Sequence, residues 1–142
     1  IAKCGDVPSA PKRRHVTEDQ QAYLQQRLRY EEGQLVDAKG RGVMMGWESP
    51  LMAKHAEVLV PEGTGGDVLN VGFGLGLIDG FLQERRPRSH TIVEAHPDVF
   101  AEMQRRGWPD REGVTVRYGR WQDVVPNLPS ASLDAIFFDT YE

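Results

Sequence analysis

The sequence predicts a doubly wound α/β fold, and three observations carry that prediction. Four short apolar runs, at 68–71, 91–93, 114–116 and 135–138, alternate with helical stretches near 75–83, 97–106 and 121–125. Each run is continuous rather than alternating, the pattern of strands covered on both faces, and regular alternation with helices implies a parallel sheet with right-handed crossovers. The first run also leads into a glycine-rich turn, Gly72-Phe73-Gly74-Leu75-Gly76, at the place where such sheets bind nucleotide-like ligands.

The elements follow in order. Residues 1–16 form a loose leader, with Pro8, Pro11 and the basic cluster Lys12-Arg13-Arg14-His15, which cannot bury much surface. Residues 17–66 form a helix, a hairpin and a second helix that cover the site. Thr17 followed by Gln20 resembles a capping box, and Tyr23, Leu24, Leu28 and Tyr30 recur at near-helical spacing. Leu35-Val36 and Val43-Met44-Met45 then flank the turn Lys39-Gly40-Arg41-Gly42, which reads as a hairpin. Ser49 before Pro50 is a helix start, with Leu51, Met52, His55, Val58 and Leu59 following and Pro61 as the stop. Residues 67–142 hold the first half of an α/β domain. The chain starts with isoleucine and stops just after the fourth strand, as a fragment would.

Composition narrows the function classes. The chain has 142 residues, room for one compact domain, and a formal net charge of -4, which argues against an obligate nucleic-acid binder. A single cysteine, Cys4, excludes an intramolecular disulfide and fits a reducing cytoplasm or nucleus. No apolar run reaches membrane-span length, so no membrane partner is expected. His15, His55, His90 and His96 lack metal-ligand spacing, so no metal is expected.

The glycine turn is not a dinucleotide fingerprint. Its spacing is G-x-G-x-G, and Leu77 stands where G-x-G-x-x-G needs its third glycine. S-adenosylmethionine carries no phosphate and requires space for an amino acid and a sulfonium, so the turn favours a methyl donor over a nicotinamide. Glu94 ends the second strand about 20 residues beyond the glycines, the position of a carboxylate that accepts from two ribose hydroxyls. After the third strand, Gly119-Arg120-Trp121-Gln122-Asp123 can reach an adenine, with Trp121 as an apolar face and Gln122 or Asp123 as an acceptor.

Five blocks in this order resemble the fungal-type protein arginine N5-methyltransferases, relatives of guanidinoacetate N-methyltransferase: Val43 to Glu48, Asn70 to Gly74, Ile92 to Pro97, Gly119 to Asp123, and Phe138 to Tyr141. The resemblance implies a Rossmann-like class I methyltransferase of which this chain holds the N-terminal part of the sheet. It implies an S-adenosyl-L-methionine site made by Tyr23, Met44, Met52, Gly72, Phe73, Gly74, Leu75, Gly76, Leu77, Ile78, Glu94, Ala95, His96, Arg120, Trp121 and Asp139. Glu48 and Asp139 match the acids that hold the guanidino group. Asn70 stands where many methyltransferases place an acid, and Gln122 where the guanidinoacetate enzymes have glutamate.

The implied reaction methylates the N5 nitrogen of an arginine in a protein substrate, in cytoplasm or nucleus. A guanidinium is a poor nucleophile because its charge is delocalised, and two carboxylates can localise it and leave one nitrogen aimed at the methyl. The alternatives are methylation of guanidinoacetate, whose discriminating residues are expected beyond Glu142, and a non-catalytic scaffold, against which Glu48, Glu94 and Asp139 speak. Strand 135–138 is expected beside the first strand of the sheet, with its other edge apolar and unpaired. A polypeptide of these residues alone is therefore expected to be inactive and to associate.

Overall fold

The computed structural model describes residues 17–140. The leader prediction, including Cys4 and the basic cluster, and Tyr141 of the last block lie outside the described residues. Two sheets form, a three-stranded antiparallel meander and a four-stranded parallel sheet.

The first helix, α1 (Glu18–Gln25), starts as expected, with the Thr17 hydroxyl accepting from the Gln20 N–H. It ends earlier than its apolar spacing implies. Leu28 is buried, and Tyr30 sits in a strand, β1 (Arg29–Glu31), which pairs with β2 (Gln34–Val36). The two-residue connection Glu32-Gly33 has positive φ at both positions, the hairpin turn that matches strand twist, and pairing energy overrides the helical spacing. The expected hairpin is therefore a meander, completed by β3 (Gly42–Met45). The Asp37 carboxylate closes the β2–β3 loop by accepting from the Lys39 and Arg41 amides and the Arg41 guanidinium.

A 3-10 turn, Gly46–Glu48, leads into α2 (Ser49–Leu59), so Ser49 is the first helical residue and not the cap. The Ser49 amide donates to the Gly46 carbonyl, which satisfies it without a side-chain cap.

The parallel sheet comprises β4 (Asp67–Val71), β5 (Ser89–Glu94), β6 (Val114–Tyr118) and β7 (Ala135–Phe138), in the order β6-β5-β4-β7. The crossovers run through α3 (Leu77–Glu84), α4 (Pro97–Arg105) and α5 (Trp121–Val124). Placement of β7 against β4 is as the sequence predicts, and it makes β4 the switch point of the sheet. On one face Val68, Ala135 and Phe137 pack against α2 and α3, and Ile92, Val114 and Val116 against α4 and Trp108. On the other, Leu69, Val71 and Val93 pack against α5 and the turn after it, while Ile136 and Phe138 stay half exposed. No helix among the described residues is long and apolar enough to cross a membrane.

Candidate functional site

A cavity of about 310 Å³ opens at the carboxyl ends of β4 and β5 and the tip of β7. That volume is at the lower end of the range for small-molecule sites. Its floor is Val71, Gly72, Gly74 and Ile78, one wall is Glu94 and Ala95, another is Gly119 to Gln122, and Phe137, Asp139 and Thr140 close the β7 side. Gln20, Tyr23 and Leu24 of α1, with Leu35, Val43 and Met44 of the meander, roof it, and Glu48 reaches it from the 3-10 turn.

Gly72 stands where three segments meet. Its amide donates to the Val93 carbonyl at 2.9 Å, its φ is 95°, and a β-carbon there would collide with the Asp139 carbonyl. Only glycine lets the β7 tip come this close to the turn. Gly76, with φ 75°, starts α3, so the helix begins at Leu77 after a G-x-G-x-G turn.

The rest of the turn is braced from outside. The Tyr30 hydroxyl donates to the Gly74 carbonyl at 2.8 Å, the Leu75 amide donates to the Met44 Sδ at 3.2 Å, and the Arg106 guanidinium donates to the Leu75 carbonyl at 2.9 Å. Burial, reinforced by the nearby Glu94 charge, pushes the Tyr30 phenol well above its usual range, so it remains a donor. Sequence reasoning missed Tyr30 and Arg106 in these roles, because both act on the turn's backbone from distant segments.

Glu94 is buried, with Oε1 accepting from the His96 amide at 2.7 Å and Oε2 from the Phe73 amide at 2.8 Å. Burial pushes its carboxyl above the ordinary range, and the amides of His96, Phe73, Ala95 and Gly74 pull it partly back. These donors fix the carboxylate plane at the cavity wall, and a carboxylate with two oxygens has lone pairs to share with ligand hydroxyls.

Of the predicted ligand-site residues, the structure brings Tyr23, Met44, Gly72, Gly74, Ile78, Glu94, Ala95, Arg120, Trp121 and Asp139 to the cavity. It turns the others elsewhere. Met52 is buried between α2 and α3, with Leu77 packed on the same cluster. The Phe73 ring is buried against Trp108, Leu75 packs on the same core, and the Phe73 amide acts on the site by donating to Glu94. Gly76 is a helix start. His96 is wholly buried: Nδ1 accepts from the Asp98 amide at 3.1 Å, Nε2 donates to the Gln26 carbonyl at 2.9 Å, and the ring meets Tyr23 edge-on. Burial holds its pKa below the ordinary histidine value, in keeping with this neutral form. It is a cap for α4 and a tether for α1.

The adenine-side acceptors also separate. Asp123 pairs with Arg120, Nε at 2.8 Å and Nη2 at 2.7 Å, whereas Gln122 faces the cavity. Trp121 lines the cavity, and its ring stands nearly perpendicular to that of Phe138. Glu48 and Asp139 line the same cavity from opposite elements. Glu48 makes no side-chain cap bond to α2, so the helix end does not occupy its carboxylate. Asp139 is anchored through its backbone, its amide donating to the Val71 carbonyl at 3.2 Å. The arrangement can hold a ligand with two hydroxyls at Glu94 and a cation between Glu48 and Asp139.

Known proteins resemble this chain. Protein arginine N-methyltransferase 2 of Aspergillus oryzae is 49% identical over 121 residues, covering 84% of this chain and 29% of that protein. The protein of the same name from Yarrowia lipolytica is 46% identical over 130 residues, covering 86% and 27%. The chain thus spans less than a third of the length of these relatives. A solved S-adenosylmethionine dependent methyltransferase from Mesorhizobium loti superposes with a TM-score of 0.47 at 20% identity, over 60% of this chain and 37% of that one. The profile of guanidinoacetate N-methyltransferase matches residues 15–142, so the chain belongs to the guanidinoacetate N-methyltransferase family.

Proposed function

We propose that the cavity binds S-adenosylmethionine and that the protein methylates a guanidino group, the N5 nitrogen of an arginine in another protein. The observation that carries this reading is the meeting of three carboxylates, Glu48, Glu94 and Asp139, around one cavity floored by a glycine turn. When bound, S-adenosylmethionine supplies an electrophilic sulfonium methyl. The residues present fit it: Glu94 is fixed to accept from ribose hydroxyls, Gly72 and Gly74 keep β-carbons out of the floor, and Trp121 and Gln122 offer a face and an amide to the base.

Glu48 and Asp139 accept charge-assisted hydrogen bonds from the guanidinium, concentrate its charge on the bound nitrogens and leave the remaining one to attack. One of the two takes the proton that the methylated nitrogen sheds. Tyr23, Leu24 and Met44 line the same space with largely apolar surface. The relatives named protein arginine N-methyltransferase favour a protein substrate; the family's name favours guanidinoacetate as the second reading.

Glu48→Gln and Asp139→Asn in the full-length protein test the clamp, since they keep shape and remove charge. Each is expected to lower turnover at least ~10²-fold, on the scale of losing one preorganised electrostatic contact. Glu48→Gln should spare donor affinity, whereas Asp139→Asn, beside Gly72, should disturb both ligands. Near-normal turnover of Glu48→Gln with a lowered melting temperature would remove Glu48 from the reaction.

A further inference from the structure

Beneath the glycine turn lies a polar relay that touches no ligand. Asn70, at the end of β4, is wholly buried, and its Nδ2 lies 3.0 Å from the Gly72 carbonyl and 2.9 Å from each oxygen of Asp79. Asp79, in the first turn of α3, is wholly buried as well. Its Oδ1 faces His90 Nε2 at 2.9 Å, and His90 Nδ1 faces Gln83 Nε2 at 2.9 Å. The directions are determined by the chemistry of the groups. An amide nitrogen only donates, so Gln83 donates to Nδ1, and the imidazole proton sits on Nε2 and is donated to Asp79. Asp79 then accepts one Asn70 hydrogen between its two oxygens, and the other Asn70 hydrogen goes to Gly72. The Asn70 Oδ1 is buried without a partner.

That orphaned oxygen carries information. An amide free to choose would turn its oxygen toward a donor, and a buried acceptor without one is costly. Asn70 keeps this orientation because the Asp79 carboxylate and the Gly72 carbonyl can only accept, so the amide nitrogen and not the oxygen must face them. An acid at position 70 could not do the same work, since it has no hydrogen for Gly72. The carboxylate of this relay stands on α3, and the Asn70 amide links it to the turn.

We propose that Asp79, held by His90, is a positioning residue for the methyl-donor site: it fixes the amide of Asn70 and, through it, the Gly72 carbonyl in the cavity floor. This rests on the reading of the cavity as a methyl-donor site. Asp79→Asn keeps size and still accepts from His90, but its new N–H₂ forces the Asn70 oxygen toward position 79 and leaves the Gly72 carbonyl facing an acceptor. The double variant Asn70→Asp/Asp79→Asn restores one charge and one complementary pair, yet leaves Gly72 without a donor.

The test is calorimetric titration of the full-length protein with S-adenosylhomocysteine, alongside melting temperature and the acceptor KM. Asp79→Asn should weaken binding about tenfold or more with the acceptor KM unchanged. The double variant should recover melting temperature without recovering binding. A merely structural relay would lower stability while the folded molecules bind as the wild type does. Wild-type binding by Asp79→Asn, or binding recovered together with stability in the double variant, overturns the proposal. Should Asp79→Asn not fold, His90→Gln, which keeps a donor toward Asp79, should show a smaller loss of the same kind, and its binding as the wild type does would overturn the proposal. Absence of binding by the wild type would instead bring down the methyl-donor reading on which the proposal stands.

Discussion

Glu94 is the residue through which the methyl-donor reading is most directly exposed to experiment. Glu94→Ala removes the buried carboxylate proposed to accept from two ligand hydroxyls and should weaken donor binding by roughly 1.5 to 3 kcal/mol, about ten- to a hundredfold, in calorimetry. Unchanged affinity would take Glu94 out of the site. Its pH dependence has a definite sign. Because burial raises its folded pKa, its contribution to stability is full below the ordinary carboxylate value near ~4.3 and is lost as pH rises through the raised value. Donor affinity runs the other way and should increase with pH over that window, as the ionised acceptor forms. Glu94 was legible in the sequence because a strand tip about 20 residues after the glycines has few other uses for an acid. His96, three positions from the strand's buried Val93, was legible only as part of a motif. Its partner, the Gln26 carbonyl, lies 70 residues away, and no local pattern records that contact.

Among the elements, α1 is the one most loosely built into the molecule: none of its residues is buried, yet three of them roof the cavity. It is held by the Tyr23–His96 ring contact, by the Gln26 carbonyl on His96 and, just after it, by the Leu28 amide donating to Asp98 at 2.9 Å. Protonating His96 would place a hydrogen against the Asp98 N–H. The lowered folded pKa of His96 means that its stabilisation is present above the ordinary value near ~6.5 and is lost as pH falls through the folded value. Hydrogen exchange of the 18–25 amides should therefore accelerate on acidification, and His96→Ala should accelerate it at neutral pH and weaken donor binding. Exchange in α1 that ignores both changes would contradict the tether. Its neighbour β1 was hidden because Tyr23, Leu24, Leu28 and Tyr30 continue the helical spacing and Glu32-Gly33 lacks an Asn-Gly signal. Strands β4 and β5 were plain, since two-face burial leaves unbroken apolar runs, whereas β7 reads the same way although Ile136 and Phe138 leave one of its faces half exposed.

At the scale of the whole molecule, one crossover sheet and one short meander put every charged group of the site at a single rim. The switch point at β4 opens the cavity, β5 delivers Glu94, the tip after β7 delivers Asp139, the meander delivers Met44, and the 3-10 turn that follows it delivers Glu48. This convergence was legible only in part. The order of motifs pointed to the family, but the departures of Met52, Leu77 and His96 from the cavity depend on which helix face the sheet buries. In the proposed function this rim holds a methyl donor and an arginine guanidinium together. The most direct test of that reading is incubation of the full-length protein with methyl-labelled S-adenosylmethionine and either protein extract or guanidinoacetate, with mass spectrometry locating the transferred methyl. Label is expected on N5 of arginine within protein, and Glu48→Gln should abolish it. Label on guanidinoacetate alone, or no guanidino methylation at all, would contradict that reading.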